Sequence, residues 1–215
     1  RIIFDTDFGG DADDLGALVM LHHFMDRKEC ELLAVICWST EKYAVPAIDA
    51  INRYYGHPGI PIGVRKDAGH VSEWSYSKPL AQQFPYQVDQ ETAHEATALY
   101  RELLADSPDQ SIVLVTVGPL KNIENLLRSG PDQFSPLSGP ALVKKTVREA
   151  VIMGGQFPAG TDEWNFSGDM PGVTRFVLEK LPVPVTFSGY EVGVQIKTGQ
   201  IFNQLNQGHP LYVGF

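Results

Sequence analysis

Five carboxylates fall within ten residues near the start of the chain, in the run Asp5-Thr6-Asp7-Phe8-Gly9-Gly10-Asp11-Ala12-Asp13-Asp14. They follow an apolar stretch, Ile2-Ile3-Phe4, and precede an amphipathic helical pattern. Gly9 and Gly10 permit a tight backbone path between the two, which folds the carboxylates into one small volume. Two like charges about 5 Å apart repel by roughly 3 kcal/mol at an effective dielectric of about 20. Several such pairs would consume most of the stability of a domain this size. Either some of the groups are protonated or a cation sits among them. All-oxygen donors with no neighbouring His or Cys favour calcium or magnesium over zinc. Asp13 and Asp14 also open a helix, whose positive end stabilises a carboxylate by only about 0.3–1 kcal/mol, too little to replace a cation. Taken alone, Asp11 or Asp13 has a plainer reading as a helix N-cap, the lesser of the two. The spacing does not match a DxDxDG calcium loop, which also requires a glutamate at its twelfth position.

A strand that ends in Asp5-Thr6-Asp7 also resembles the DxD motif of haloacid-dehalogenase-type phosphotransferases, in which the first Asp is a nucleophile and the second an acid and base. Gly9 stands where that motif continues with Thr or Val, and Asp11, Asp13 and Asp14 have no part in it.

The elements that must position these groups alternate along the chain. Apolar runs at 1–5, 32–38, 60–64, 111–117, 150–153 and 183–187 read as strands. Leu33-Ala34-Val35-Ile36-Cys37 and Ile112-Val113-Leu114-Val115 are continuous, as in strands buried on both faces of a parallel sheet. Helical patterns fill 13–26, 43–55, 92–105, 121–128 and 173–181. The alternation predicts one α/β domain over 1–215 with an open, mainly parallel sheet flanked by helices. Such sheets bind ligands beyond the carboxyl ends of their strands, where the aspartates lie. The stretch 68–90, with His70, Trp74, Tyr76, Phe84 and Tyr86 in a polar background, reads as a long ordered loop or lid. His70 is the histidine best placed to meet a leaving group.

Composition narrows the partners. The 215 residues carry a formal charge of −9, with no Lys/Arg run of the kind nucleic-acid binding needs, which argues against a nucleic-acid backbone. No apolar run reaches the ~18 residues of a membrane span. Cys37 lies in an apolar run and reads as a buried small hydrophobe, and neither it nor Cys30 forms a CxxC pair. His22 and His23 read as structural or surface residues of the first helix. The chain starts at Arg1 rather than Met, which suggests a trimmed start and mildly favours an exported protein.

The aspartate run resembles the DTDxGxDD…AL signature of the inosine–uridine-preferring nucleoside hydrolase family, in a longer DTDxGxDxDDxxAL form. Two further segments match in order. Val117-Gly118-Pro119-Leu120-Lys121-Asn122 is similar to the family's TGPLTN turn. Ala150-Val151-Ile152-Met153-Gly154-Gly155, followed by Glu163-Trp164-Asn165 and Asp169, is similar to its MGG…EFN…D segment. The resemblance implies a Rossmann-like nucleoside hydrolase fold and calcium-dependent hydrolysis of the N-glycosidic bond of ribonucleosides or related ribosides. By position, Asp7 is then a metal ligand and the base that activates water. Asp14 binds metal, and Val117 offers its backbone carbonyl. Asp13 holds the ribose, with Asp11 the alternative for that role or for a metal ligand. Glu163 and Asn165 meet ribose hydroxyls, and Met153 packs beneath the sugar. Family analogy also implies a homo-oligomer.

The chain departs from the family pattern in three ways. Family members run to about three hundred residues, and their last third supplies a further aspartate ligand; here no Asp follows Asp169, so the domain reads as C-terminally incomplete. Thr161 replaces an expected Asn. Glu191, in the loop after the sixth expected strand, stands either near the site or in solvent. These departures leave a second expectation open, a sugar- or nucleoside-binding relative with weak or no catalysis.

Overall fold

A computed structural model describes residues 1–67, 76–160, 162–168 and 171–215. Along the chain, β1 (Ile2–Thr6) leads to α1 (Asp13–Asp26), β2 (Leu32–Cys37), α2 (Ala44–Tyr54) and β3 (Ile62–Val64). Next come α3 (Ser77–Gln83), β4 (His94–Glu95), α4 (Ala96–Ala105), β5 (Ile112–Thr116) and α5 (Lys121–Arg128). Then follow α6 (Gly139–Thr146), β6 (Val147–Met153), α7 (Trp164–Ser167), α8 (Val173–Lys180) and β7 (Val185–Ser188). The chain closes with α9 (Tyr190–Gly193), a 3-10 turn (Gln200–Gln204) and α10 (Pro210–Gly214).

The strands form one seven-stranded sheet in the order β4-β3-β2-β1-β5-β6-β7, and every pairing is parallel. β1 lies at the centre, with Phe4 opposite Val35 of β2 on one side and Val115 of β5 on the other. Side chains of a strand alternate between faces, and β1 shows the consequence. Ile3 joins a core with Leu99, Tyr100 and Leu104 of α4, Leu126 of α5 and Val177 of α8. Phe4 joins the opposite core, with Leu15 and Leu18 of α1, Ile48 and Ile51 of α2 and Leu211 of α10. Burial on both faces explains why β2 is apolar throughout.

The expected α/β sheet is observed, with differences at the edges of elements. The stretch 68–90 is not all loop: Ser77–Gln83 is helical, and Leu80 is buried in the core. The fourth helix starts at Ala96 rather than at 92, because Glu95 caps it, its carboxylate accepting from Thr97 N at 3.0 Å and Ala98 N at 2.7 Å. α6 has no counterpart among the expected helices, because its Ser138-Gly139-Pro140 start reads as a loop in sequence; a proline in the first turn costs the helix nothing. β6 begins at Val147 rather than 150, its entry disguised by Arg148 and Glu149, which pair at 3.0 Å on the surface. Among the described residues, no helix is long and apolar enough to cross a membrane.

Candidate active site

The site lies at the carboxyl end of β1. Thr6, fully buried, donates its hydroxyl to Asp14 Oδ1, so the last residue of the strand holds the first turn of α1. Asp14 is itself buried, and Asp13 Oδ1 accepts from Asp14 N at 3.0 Å. Asp11, Asp13 and Asp14 each offer a carboxylate oxygen, all within 4.8 Å of one another, with Asp11 and Asp13 exposed. Asp7 stands between the strand tip and this group.

Electrostatics mark these carboxyls as short of positive charge. Burial pushes Asp7 up to about 7, and the charges of Asp11, Asp13 and Asp5 add to the rise. Burial likewise raises Asp14 well above the usual carboxylate range, with Asp7 and Asp13 contributing. Asp13 is raised by burial and by Asp11. Desolvation and like charge both disfavour the ionised forms, and a divalent cation would reverse both effects. The donor set, oxygen only, fits a hard cation such as calcium or magnesium.

The turn after β5 forms the facing side. Val117 N donates to Asp5 O at 2.9 Å, extending the β1–β5 ladder by one residue. Gly118 then passes so close to the aspartate loop that only a glycine fits. A Cβ there would lie 2.8 Å from both Asp7 N and Asp7 Oδ1. The third side comes from β6 and α7. Asn165, buried, donates through Nδ2 to Val117 O at 3.0 Å, and the same nitrogen lies 3.3 Å from Met153 O and 3.1 Å from Met153 Sδ. Glu163 caps α7, and its carboxylate accepts from Gly155 N at 2.7 Å, Asn165 N at 2.9 Å and Phe166 N at 3.1 Å.

The structure therefore brings Asp11, Asp13 and Asp14 together at the start of α1, with Asp7 near enough for their charges to raise it, and joins Val117, Met153 and Asn165 through a shared hydrogen-bonded nitrogen. The side chain of Glu163 is engaged with backbone amides. His70, Thr161 and Asp169 lie outside the described residues. Glu191 is tied down, accepting from Phe157 N at 3.0 Å. Of the histidines read as structural, His22 is fully buried, stacked on Tyr55 and His57.

Three features escape a linear reading. Thr6 holds Asp14, although a hydroxyl inside an apolar strand was a visible signal. Tyr76, next to α3, sets its ring edge against Phe8 at 5.1 Å, with its hydroxyl buried beside the carboxylates of Asp14, Asp13 and Asp7. Asp5, finally, is 2% exposed and sits beneath the site. Tyr100 Oη donates to its Oδ2 at 2.7 Å and Asn122 Nδ2 to its Oδ1 at 3.0 Å. Both oxygens face inward, so Asp5 presents no nucleophile to a phosphoryl group, and the DxD phosphotransferase reading loses its central residue.

Fold and site define a class: a parallel α/β protein with an acidic loop after its central strand. The chain belongs to the inosine-uridine preferring nucleoside hydrolase family, whose model matches residues 2–212. That match takes in the tail beyond Asp169, where the sequence motifs end. Among solved structures, the effector protein XOO4466 is 17% identical with a TM-score of 0.78, aligned over 98% of this chain and 62% of that one. An inosine-uridine preferring nucleoside hydrolase from Bacillus anthracis is 21% identical with a TM-score of 0.71, over 94% of this chain and 69% of that one. The purine-preferring ribonucleoside hydrolase from Gardnerella vaginalis is 21% identical with a TM-score of 0.68, over 99% and 70% respectively. At these identities the likeness is one of fold, and the chain spans between three fifths and seven tenths of these relatives' lengths. No curated protein matches the chain.

Proposed function

We propose that the chain hydrolyses the N-glycosidic bond of ribonucleosides or related ribosides, with calcium held at the aspartate loop. The observation that carries this reading is the meeting of Asp7, the Val117–Gly118 turn and Asn165 at the ends of three adjacent strands. Asp7, Asp14 and the Val117 carbonyl would hold the cation, with Asp11 as a further oxygen donor. A carbonyl oxygen has two lone pairs, so the bond from Asn165 does not exhaust Val117. When bound, calcium would lower the pKa of water and order sugar hydroxyls.

The chain's own residues supply the rest. Asp7, with a pKa near neutrality, has the proton affinity of a general base working near pH 7. Asp13, on the open side of the loop, faces solvent and is free to receive a ribose hydroxyl. Asn165 would present its amide to a second hydroxyl, and Met153 would form the floor. Glu163 acts chiefly by fixing the backbone that carries Asn165, with one acceptor site left for the sugar. Negative charge surrounding the ribose stabilises the oxocarbenium-like state through which glycosidic bonds break.

Ribose release from inosine and uridine tests the proposal, measured with calcium, with a strong chelator and in Asp7→Ala. Loss of turnover in the last two is expected; undiminished turnover in chelated Asp7→Ala would overturn it.

A second reading, a riboside-binding relative with little catalysis, is supported by one observation. Asn165 Nδ2 is already spent on Val117 and Met153. Calorimetric binding of ribose or inosine without ribose release would favour this reading over the first.

A further inference from the structure

Two aspartates at the end of β1 have opposite fates. Asp7 is the first residue beyond the strand. Asp5, two residues earlier, is buried within the sheet and touches neither sugar nor cation in the proposed reading. Its partners nonetheless come from three places beyond the strand: α4, α5 and the turn after β5. Tyr100 reaches it from α4 and Asn122 from the first turn of α5, while Val117 N binds its backbone oxygen. The turn 117–122 is thus fastened at both ends to one residue. Between those ends, Gly118 rests on Asp7.

Packing alone does not explain this arrangement. Apolar residues of the same shape would fill the space without burying a carboxylate, and replacing buried polar clusters by apolar ones is often neutral or stabilising. Asn122 also has a buried Oδ1 with no hydrogen-bond partner among the described residues, a feature that costs stability. What the polar cluster supplies and an apolar one would not is direction: each hydrogen bond fixes one element in register along β1.

We propose that Asp5 is a positioning residue: with Tyr100 and Asn122 it locks the turn 117–122 against β1 and so holds the Val117–Gly118 turn against Asp7. This rests on the cation site described under the proposed function. Removing either donor lets the turn drift while both cores remain filled, so the effect falls on the site before it falls on the fold.

The test compares Tyr100→Phe, Asn122→Leu, Asp5→Asn and Asn122→Asp with Leu104→Ala, a control that thins the same core from α4 without touching the cluster. Calcium affinity is measured by calorimetry, stability by thermal melting, and local order by amide hydrogen exchange over 117–121. Each cluster variant is expected to lose about tenfold or more in calcium affinity and to exchange faster over 117–121. Leu104→Ala is expected to melt lower yet bind calcium within about twofold of the parent. The exchange pair Asp5→Asn with Asn122→Asp rebuilds the bond with donor and acceptor reversed, and should recover most of the affinity lost by either single change. Affinity that merely tracks melting temperature across all variants, control included, would overturn the proposal, as would a folded exchange pair that recovers nothing. Should the parent bind no calcium, the cation reading fails. The positioning role then stands or falls on whether 117–121 exchange faster in the cluster variants than in the control.

Discussion

Gly118 lies against Asp7 so closely that a methyl group on the glycine would sit 2.8 Å from both the backbone nitrogen and Oδ1 of the aspartate. Neither atom is the end of a long flexible side chain. Gly118→Ala must therefore push Asp7 and the turn apart. Because both cores lie deeper in the sheet, the expected result is a folded protein with calcium affinity and ribose release each reduced by about tenfold or more. Circular dichroism beside calorimetry and a turnover assay checks this. A wild-type activity in Gly118→Ala would mean that the turn and the aspartate loop do not cooperate.

The carboxyl cluster ties stability to pH and to the cation. In the calcium-free protein Asp5 and Asp7 titrate near 7, against 3.8 for a free side chain. Between those values the folded state holds protons that the unfolded chain has lost. The stability these groups contribute is complete below about pH 4 and is lost as pH rises toward 7. A calcium ion held at Asp7, as proposed, would replace protons there, so binding should release protons below pH 7 and tighten as pH rises. Calorimetry in two buffers of different ionisation enthalpy measures the release directly. Equal heats in both buffers at pH 6 would refute it.

His22 gives a slope of opposite sign. Burial, with the neighbouring His57 charge, holds its pKa down to about 4, against 6.5 when free. Its contribution is complete above about 6.5 and is lost as pH falls toward 4, because the unfolded chain takes up the proton first. His22→Gln, which can keep a bond to Asn52, is expected to cost stability at pH 7 but to remove much of the acid lability between 6.5 and 4. Melting temperatures of both proteins across that range decide the matter.

Glu163 serves three backbone amides at once. Loss of a helix cap costs about 0.5–2 kcal/mol, and here the loop that carries Asn165 loses its anchor too. Glu163→Ala should therefore melt lower and raise KM for inosine more than Glu163→Gln, whose amide oxygen keeps one acceptor. Identical KM values for the two variants would indicate that Glu163 acts through its charge on the sugar instead.

Much of this arrangement was legible in the chain. Continuous apolar runs gave the parallel strands because burial on both faces leaves no room for alternation, as β2 shows. The aspartates stood out because five like charges in ten residues demand a physical reason. What stayed hidden was non-local or masked by composition. Asn122 and Asp5 meet across 117 residues, and nothing in the local pattern of either announces the other. The engagement of Glu163 with amides depends on where Gly155 turns, which spacing does not encode. α6 was disguised by Ser, Gly and Pro in its first turn, and the two-residue β4 is too short to leave a pattern.

The centrality of β1 has a temporal side. Its partner β5 and the donor Asn122 follow more than a hundred residues later in the chain. Domains are synthesised at about 5–20 residues per second, and pairings of such long separation form slowly. The acidic loop is thus made early and left without its opposite wall for several seconds of translation. Until β5 closes onto β1, protons or a loosely held ion must offset the like charges of that loop.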